Sequence, residues 1–311
     1  MTPHVSIRNL SVRFPVREGQ LRAVDGLDLE LTRGERFGLV GESGSGKTML
    51  ALSLMGLLPP SARRTGSIRL DGRELTGLNS REMRRLRGRE LAMVFEQPGA
   101  YLDPLFPVGR QIEEAVRAHA PSLNGEARQR MLELLRMVGM PDPQRQARQY
   151  PFELSGGMQQ RAMIAIALAS SPGLLLADEP TTALDPRVQV RILDLLDRLA
   201  THNGMTLLLI THNLAAVRRL CSRVAVMYAG QVVETGDMRQ VLESPRHPYT
   251  RALCASLAGN RAAPIDGNPP SLADLPAGCR FHPRCPLAEP ACAAQSPVLS
   301  DGVRCLKNHA A

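Results

Sequence analysis

The octapeptide Gly41-Glu42-Ser43-Gly44-Ser45-Gly46-Lys47-Thr48 constrains this 311-residue chain more than any other feature, because it sets a glycine-rich turn, a lysine and a hydroxyl in the order that a nucleotide's phosphates require. Its flanks supply the context the motif needs. Residues 36–40 read as a short buried strand, and 49–58 as a helix stopped by Pro59-Pro60, so the turn lies between strand and helix. There, backbone N–H groups of the Gly41, Ser43, Gly44, Ser45 and Gly46 turn wrap phosphate oxygens, helped by the positive end of the helix. Lys47 neutralises the β and γ charges, and the Thr48 hydroxyl ligates Mg²⁺.

Such a loop predicts a second element downstream: an apolar strand ending in an aspartate that completes the Mg²⁺ site. Gly173-Leu174-Leu175-Leu176-Ala177-Asp178-Glu179-Pro180 fits it. Asp178 would hold the metal through its coordinated water, and Glu179 would orient or polarise the water attacking the γ-phosphate. Adjacent carboxylates also occur as a solvated strand cap, but the apolar run before them implies a buried parallel strand.

Between these elements, Leu154-Ser155-Gly156-Gly157-Met158-Gln159-Gln160-Arg161 precedes a helix-like run over 162–169. Ser155-Gly156-Gly157 with Gln160 and Arg161 resembles the signature of ATP-binding cassette (ABC) ATPases, and the order of loop, signature, Asp-Glu and histidine is similar to that family over residues 1–245. A serine and two glycines at a helix N-terminus form a second phosphate-binding surface. The resemblance implies two cassettes facing head to tail, with Ser155 of one, beside its Gly156, Gly157 and Gln159, touching the γ-phosphate of ATP held by Lys47 of the other. Residues 205–210 read as another strand, delivering Thr211-His212-Asn213. His212 resembles the family's switch histidine, whose imidazole can both donate and accept at the γ-phosphate or the water. Thr181-Thr182-Ala183-Leu184-Asp185 resembles the loop through which paired cassettes communicate, with Asp185 its key residue. Phe14, closing the alternation Val5, Ile7, Leu10, Val12, resembles the aromatic that stacks on adenine, although a core phenylalanine would look the same.

One position departs from the pattern. After the strand Leu91-Ala92-Met93-Val94-Phe95 the family has glutamine, usually an acidic residue, then proline, whereas this chain reads Glu96-Gln97-Pro98. Ionised Glu can ligate Mg²⁺ but cannot donate a hydrogen bond. Either Glu96 serves with altered coupling, or Gln97 reaches in, or this site hydrolyses poorly.

Strands and helices alternate over 1–95 and 173–243, around a mostly helical insert over 98–170 in which 108–119 and 126–138 carry helical spacing. The pattern implies an α/β fold, and the resemblance makes it a P-loop NTPase of the ABC cassette type: a RecA-like core, an antiparallel β subdomain, a helical subdomain and a small C-terminal extension, divided at 1–245 and 246–311. A net charge of +8 allows nucleic acid or an anionic membrane surface as neighbour, but zero Trp and four Tyr leave little for base stacking. The densest basic run, 81–89, has Met83 and Leu86 at helical spacing and reads as a solvated helix face. No apolar stretch approaches the roughly 20 residues that span a bilayer, and the N-terminus lacks a secretion signal, so a cytoplasmic location is expected. No internal repeat is evident, so the second cassette is expected from another chain.

The tail narrows the family. His247-Pro248-Tyr249-Thr250-Arg251-Ala252-Leu253 and Cys279-Arg280-Phe281-His282-Pro283-Arg284-Cys285-Pro286 resemble the C-terminal extension of oligopeptide, dipeptide and nickel importer ATPases. Cys221 and Cys254 lie in apolar surroundings and read as core. Cys279, Cys285, Cys292 and Cys305 crowd a Pro-rich stretch too poor in apolar residues to fold by packing alone. Disulfides are disfavoured in the cytoplasm, leaving an iron–sulfur cluster, zinc or free thiols, and the resemblance favours [4Fe–4S]. The resemblance therefore implies an ATP-hydrolysing subunit, using ATP and Mg²⁺, that powers bacterial import of di- or oligopeptides from the cytoplasmic face of the inner membrane. Its expected partners are a second ABC ATPase subunit, two membrane permeases and an extracytoplasmic solute-binding protein, with no nucleic acid. A nickel or metal-chelate importer ATPase is the alternative of like chemistry, and a soluble nucleic-acid-linked ABC ATPase the alternative of another class.

Overall fold

Alternating apolar residues at Val5, Ile7, Leu10 and Val12, all buried, make β1 (Val5–Val16) the centre of an antiparallel sheet in the computed structural model, which describes residues 2–17, 19–119, 125–182, 184–257 and 265–307. Two compact units result, one of residues 1–77 with 209–311 and one of 78–208.

In the first unit, β1 pairs with β2 (Gly19–Leu31) on one side and β4 (Arg63–Leu70) on the other, and β5 (Arg73–Glu74) follows β4, giving the order β2-β1-β4-β5. The wholly buried run Phe37-Gly38-Leu39-Val40 forms β3 (Arg36–Val40), parallel to β9 (Arg223–Tyr228), while β10 (Gln231–Asp237) returns antiparallel to β9. Continuous apolar runs suit strands buried on both faces, whereas β1 alternates because its sheet is covered on one. Helix α1 (Lys47–Met55) follows β3, and α9 (Leu214–Leu220), α10 (Met238–Glu243), α11 (Pro248–Leu257) and α12 (Pro290–Ala294) belong to the same unit. The expectation of a helix over 49–58 is corrected: α1 starts two residues earlier and stops at Gly56, whose φ of 60° closes it well before Pro59-Pro60.

In the second unit, β6 (Leu91–Val94) runs parallel to β7 (Leu174–Asp178) in the register Leu91 to Leu174. Helices α2 (Ser80–Leu86), α3 (Pro98–Tyr101), α4 (Val108–His119), α5 (Ala127–Met137), α6 (Pro143–Gln146), α7 (Gly156–Ala167) and α8 (Pro186–Asn203) complete it. Helix α7 begins six residues before the run over 162–169, because only its inner turns are wholly apolar. The basic stretch is the solvated face expected: α2 buries Met83 and Leu86, exposes Arg81, Arg84 and Arg85, and starts with a capping box of Asn79 and Glu82. Strand β10 lies beside β9 and β9 beside β3 in the first unit, β7 lies beside β6 in the second, and β8 (Thr206–Thr211) is divided between the units. Among the described residues, no helix is long and apolar enough to cross a membrane.

Candidate functional site

Close backbone approach shapes the loop between β3 and α1. A Cβ at Gly41 would stand 2.1 Å from the Met227 carbonyl oxygen, and one at Gly46, whose φ is +104°, would stand 2.0 Å from that of Ala23. Only glycine fits either position. Gly46 is the N-cap of α1; it offers no side-chain cap, and the first turn holds no acidic residue, which suits an anion there. The buried Lys47 ammonium folds over the loop and donates to the carbonyls of Gly41 (2.8 Å) and Glu42 (2.9 Å), and at 3.4 Å to the Ser45 hydroxyl. Ser43, Gly44 and Thr48 are exposed. In the same unit, His212 is exposed just past β8, ahead of Asn213, whose side chain caps α9. Phe14 is half-buried in β1 opposite Leu21.

The second unit carries the remaining residues. Asp178 ends β7 and is buried, and Glu179 follows with φ +47°, a left-handed conformation that few non-glycine residues adopt. The Thr182 hydroxyl donates to the Glu179 carboxylate at 2.8 Å. Ser155 is the N-cap of α7, yet its hydroxyl makes no capping bond; Ser155 and Gly156 are exposed, and no acidic residue lies in the first turn. Gly157 packs closely, since a Cβ there would meet Val188 at 2.7 Å. The Gln159 amide donates to the carbonyls of Pro151 (2.8 Å) and Leu154 (3.3 Å), tying α7 to the segment before it. Asp185 caps α8, accepting from the N–H groups of Arg187 and Val188 at 3.1 Å each, with Pro186 in the first turn.

Glu96 and Gln97 are both exposed, and both line a cavity of about 350 Å³ together with Gly156, Gln159, Gln160 and Pro180. The exchanged pair thus reaches one space that also receives the signature. Gln160 is 1% exposed, and its side-chain nitrogen has no hydrogen-bond partner.

The four tail cysteines, each half-buried, line one cavity of about 20 Å³ with Phe281 and His247. That is room for about one water. Burial raises the Cys279 and Cys285 thiols above the usual range. Four thiols match the donor type and number of a [4Fe–4S] cluster. Nevertheless, no group of three or more His, Cys, Asp or Glu side chains among the described residues stands ready to hold a metal ion, so the iron–sulfur expectation is not supported. Cys221 is buried as expected. Cys254 is half-buried rather than core, its thiol pushed up to about 11 by burial.

Sequence reasoning missed two residues that touch the phosphate loop. The Tyr249 hydroxyl accepts from the Glu42 N–H at 2.9 Å, and the Arg284 guanidinium binds the Glu42 carboxylate at 2.9 and 3.1 Å. Both lie in tail stretches the sequence singles out, but no spacing links them to residues more than 200 positions earlier.

The family pattern described as ABC transporter matches residues 24–182, and that described as oligopeptide/dipeptide transporter, C-terminal region, matches 233–292. A putative peptide import ATP-binding protein of Brucella ovis is 44% identical over 98% of this chain and 97% of its own length. The dipeptide transport ATP-binding protein DppD of Escherichia coli K12 is 44% identical over 95% of this chain and 92% of its own. Among solved structures, the ATP-binding cassette MJ0796 in a dimeric post-hydrolysis state with ADP and Pi aligns with a TM-score of 0.68 at 30% identity, covering 76% of this chain and 99% of that one. CbiO1 of Clostridium perfringens, part of the ABC transporter complex cbiONQ, aligns at 0.66 and 25% identity over 84% of this chain and 97% of its own.

Proposed function

Because this chain belongs to the ABC transporter family and carries the C-terminal region of its oligopeptide/dipeptide transporters, we propose that it is the ATP-hydrolysing subunit that powers import of peptides through a membrane transporter. The observation that carries this reading is near-full-length similarity to relatives named for peptide import and dipeptide transport. Its partners are a second ABC ATPase subunit, two membrane permeases and an extracytoplasmic solute-binding protein, and it works at the cytoplasmic face of the membrane. Residues 1–245 form the cassette, and 246–311 the extension.

In this reading ATP lies along Gly41, Ser43, Gly44, Ser45 and Gly46, with Phe14 against the adenine. Lys47 leaves the Gly41 and Glu42 carbonyls for the β- and γ-phosphates, exchanging neutral acceptors for charged ones. The Thr48 hydroxyl and Asp178 carboxylate are hard oxygen donors that suit Mg²⁺, which when bound neutralises phosphate charge. Glu179 accepts the proton of the attacking water, and His212 hydrogen-bonds the γ-phosphate or that water. Ser155, Gly156 and Gly157 meet the γ-phosphate of ATP held by the second cassette, with Gln159 bracing them and Asp185 at the contact between the pair. Glu96 and Gln97 share the task of linking nucleotide state to the permease. In the assembled complex, Glu179→Gln is expected to abolish turnover while retaining ATP; unchanged turnover would remove Glu179 from this role.

The [4Fe–4S] cluster stays a separate proposal: the four half-buried cysteines share one cavity but would have to move closer together to ligate it. Full-length chain purified anaerobically would carry about four irons per chain if it holds one. Iron-free, colourless protein with zero bound iron would dismiss it.

A further inference from the structure

The tail is anchored before it reaches the phosphate loop. Glu234, 1% exposed, accepts from the backbone N–H groups of Arg246 (2.8 Å) and His247 (2.9 Å), and the Tyr249 N–H donates to His247 Nδ1 at 3.1 Å. This fixes the first turn of α11. The rings of Tyr249 and Phe281 pack on Tyr228 of β9, with centroids 4.6 and 5.3 Å away, and all three are buried. Arg280 bonds Asp25 and the Ala229 carbonyl, a second attachment to the same unit.

From this base two groups converge on Glu42. Tyr249 accepts its backbone N–H. Arg284, its side chain only 6% exposed, forms a fork on the carboxylate while also donating to Tyr228 Oη at 3.3 Å and to the carbonyls of Asp266 (3.1 Å) and Ile265 (3.3 Å). Burial alone would lower the Arg284 pKa, but the bonds to Glu42 and Tyr228 outweigh it and leave it raised. Glu42 is the loop's one acidic side chain, and an unneutralised carboxylate there would repel a polyphosphate.

We propose that the C-terminal extension positions the phosphate loop for ATP, with Arg284 neutralising and orienting the Glu42 carboxylate while Tyr249 fixes the Glu42 backbone. Arg284 is a positioning residue acting through Glu42. The proposal rests on the assignment of Gly41–Thr48 to the phosphates, which Lys47→Ala tests by itself.

The experiment is a double-mutant cycle on the full-length chain. It reads the Kd for a fluorescent ATP analogue, together with KM for ATP and kcat in the assembled complex. Arg284→Ala weakens analogue binding and raises KM on the order of tenfold with kcat nearly unchanged, whereas in a Glu42→Gln background the same change has less than about a twofold effect. Arg284→Lys, which keeps a cation but not the fork, falls between, and it serves in both backgrounds if Arg284→Ala does not fold. Equal loss in both backgrounds would mean that Arg284 merely holds the tail together, and no loss in either would remove the link; both overturn the proposal. If Lys47→Ala binds the analogue as wild type does, the loop assignment itself has failed, a result distinguishable from an Arg284 failure.

Discussion

Replacing Gly46 with alanine should damage the nucleotide-free protein much more than replacing Gly44, although both glycines have positive φ. At Gly44, with φ +76°, a Cβ meets nothing within 4 Å, so Gly44→Ala carries only the left-handed backbone term of about 1–2 kcal/mol. At Gly46 the same term applies, and the Cβ also falls 2.0 Å from the Ala23 carbonyl oxygen, about 1 Å inside the closest contact real Cβ atoms make. That obstacle is backbone of β2 rather than the end of a flexible side chain, so the loop must retreat at an overpacking cost of about 1–3 kcal/mol, bringing the total to about 2–5 kcal/mol. Thermal unfolding without nucleotide reads the difference: about 2–3 °C for Gly44→Ala, and about 3–8 °C for Gly46→Ala. ATP analogue binding by Gly46→Ala should fall at least about tenfold, since a displacement near 1 Å removes the aligned donors. Equal midpoint shifts for the two variants, or a Gly46→Ala loop that binds nucleotide normally, would refute the argument from close approach.

Other perturbations separate structural from chemical duties. Asp185→Ala removes the α8 cap and should cost about 1 kcal/mol, whereas Asp185→Asn retains the cap; a turnover defect in Asp185→Asn at unchanged melting midpoint would assign the carboxylate a role beyond capping, and wild-type turnover would confine it to the helix. Burial alone would raise the Glu74 carboxyl pKa, but bonds from the Ser67 and Thr76 hydroxyls and from the Thr76 and Ile68 N–H groups outweigh it and hold it at about 2. Its folded value lies below its ordinary 4.5, so its stabilisation is present above pH 4.5 and lost as pH falls through about 2. Glu74→Gln should therefore flatten the acid limb of the melting midpoint against pH, and an unchanged limb would contradict this. In the complex, chelating Mg²⁺ should stop turnover reversibly; full activity in excess chelator would exclude the Thr48 and Asp178 assignment.

The turn between β3 and α1, the helix that follows Ser155 and the strand end at Asp178 were legible because each is local: a few consecutive residues fix the backbone. β3, β7 and β8 were equally plain, since strands buried on both faces spell unbroken apolar runs. The end of α1 was misread because Pro59-Pro60 is the louder signal, while Gly56 closes the helix by its backbone conformation alone. The close contacts that demand glycine at positions 41 and 46 come from Met227 and Ala23, which no local pattern connects to the loop. The same distance in sequence hid Tyr249 and Arg284, whose partner is Glu42. Asp185 was read only as a family position, and the structure adds that its side chain caps α8, a duty the sequence reading did not separate from the other.

ATP hydrolysis by the complex assembled with its membrane partners, with and without a peptide-loaded solute-binding protein, tests the central claim most directly. A coupled peptide importer hydrolyses ATP faster when the loaded binding protein is added, and Glu179→Gln abolishes that response. An ATPase indifferent to the loaded binding protein and to the membrane partners, yet stimulated by nucleic acid, would contradict the assignment while leaving the cassette fold standing.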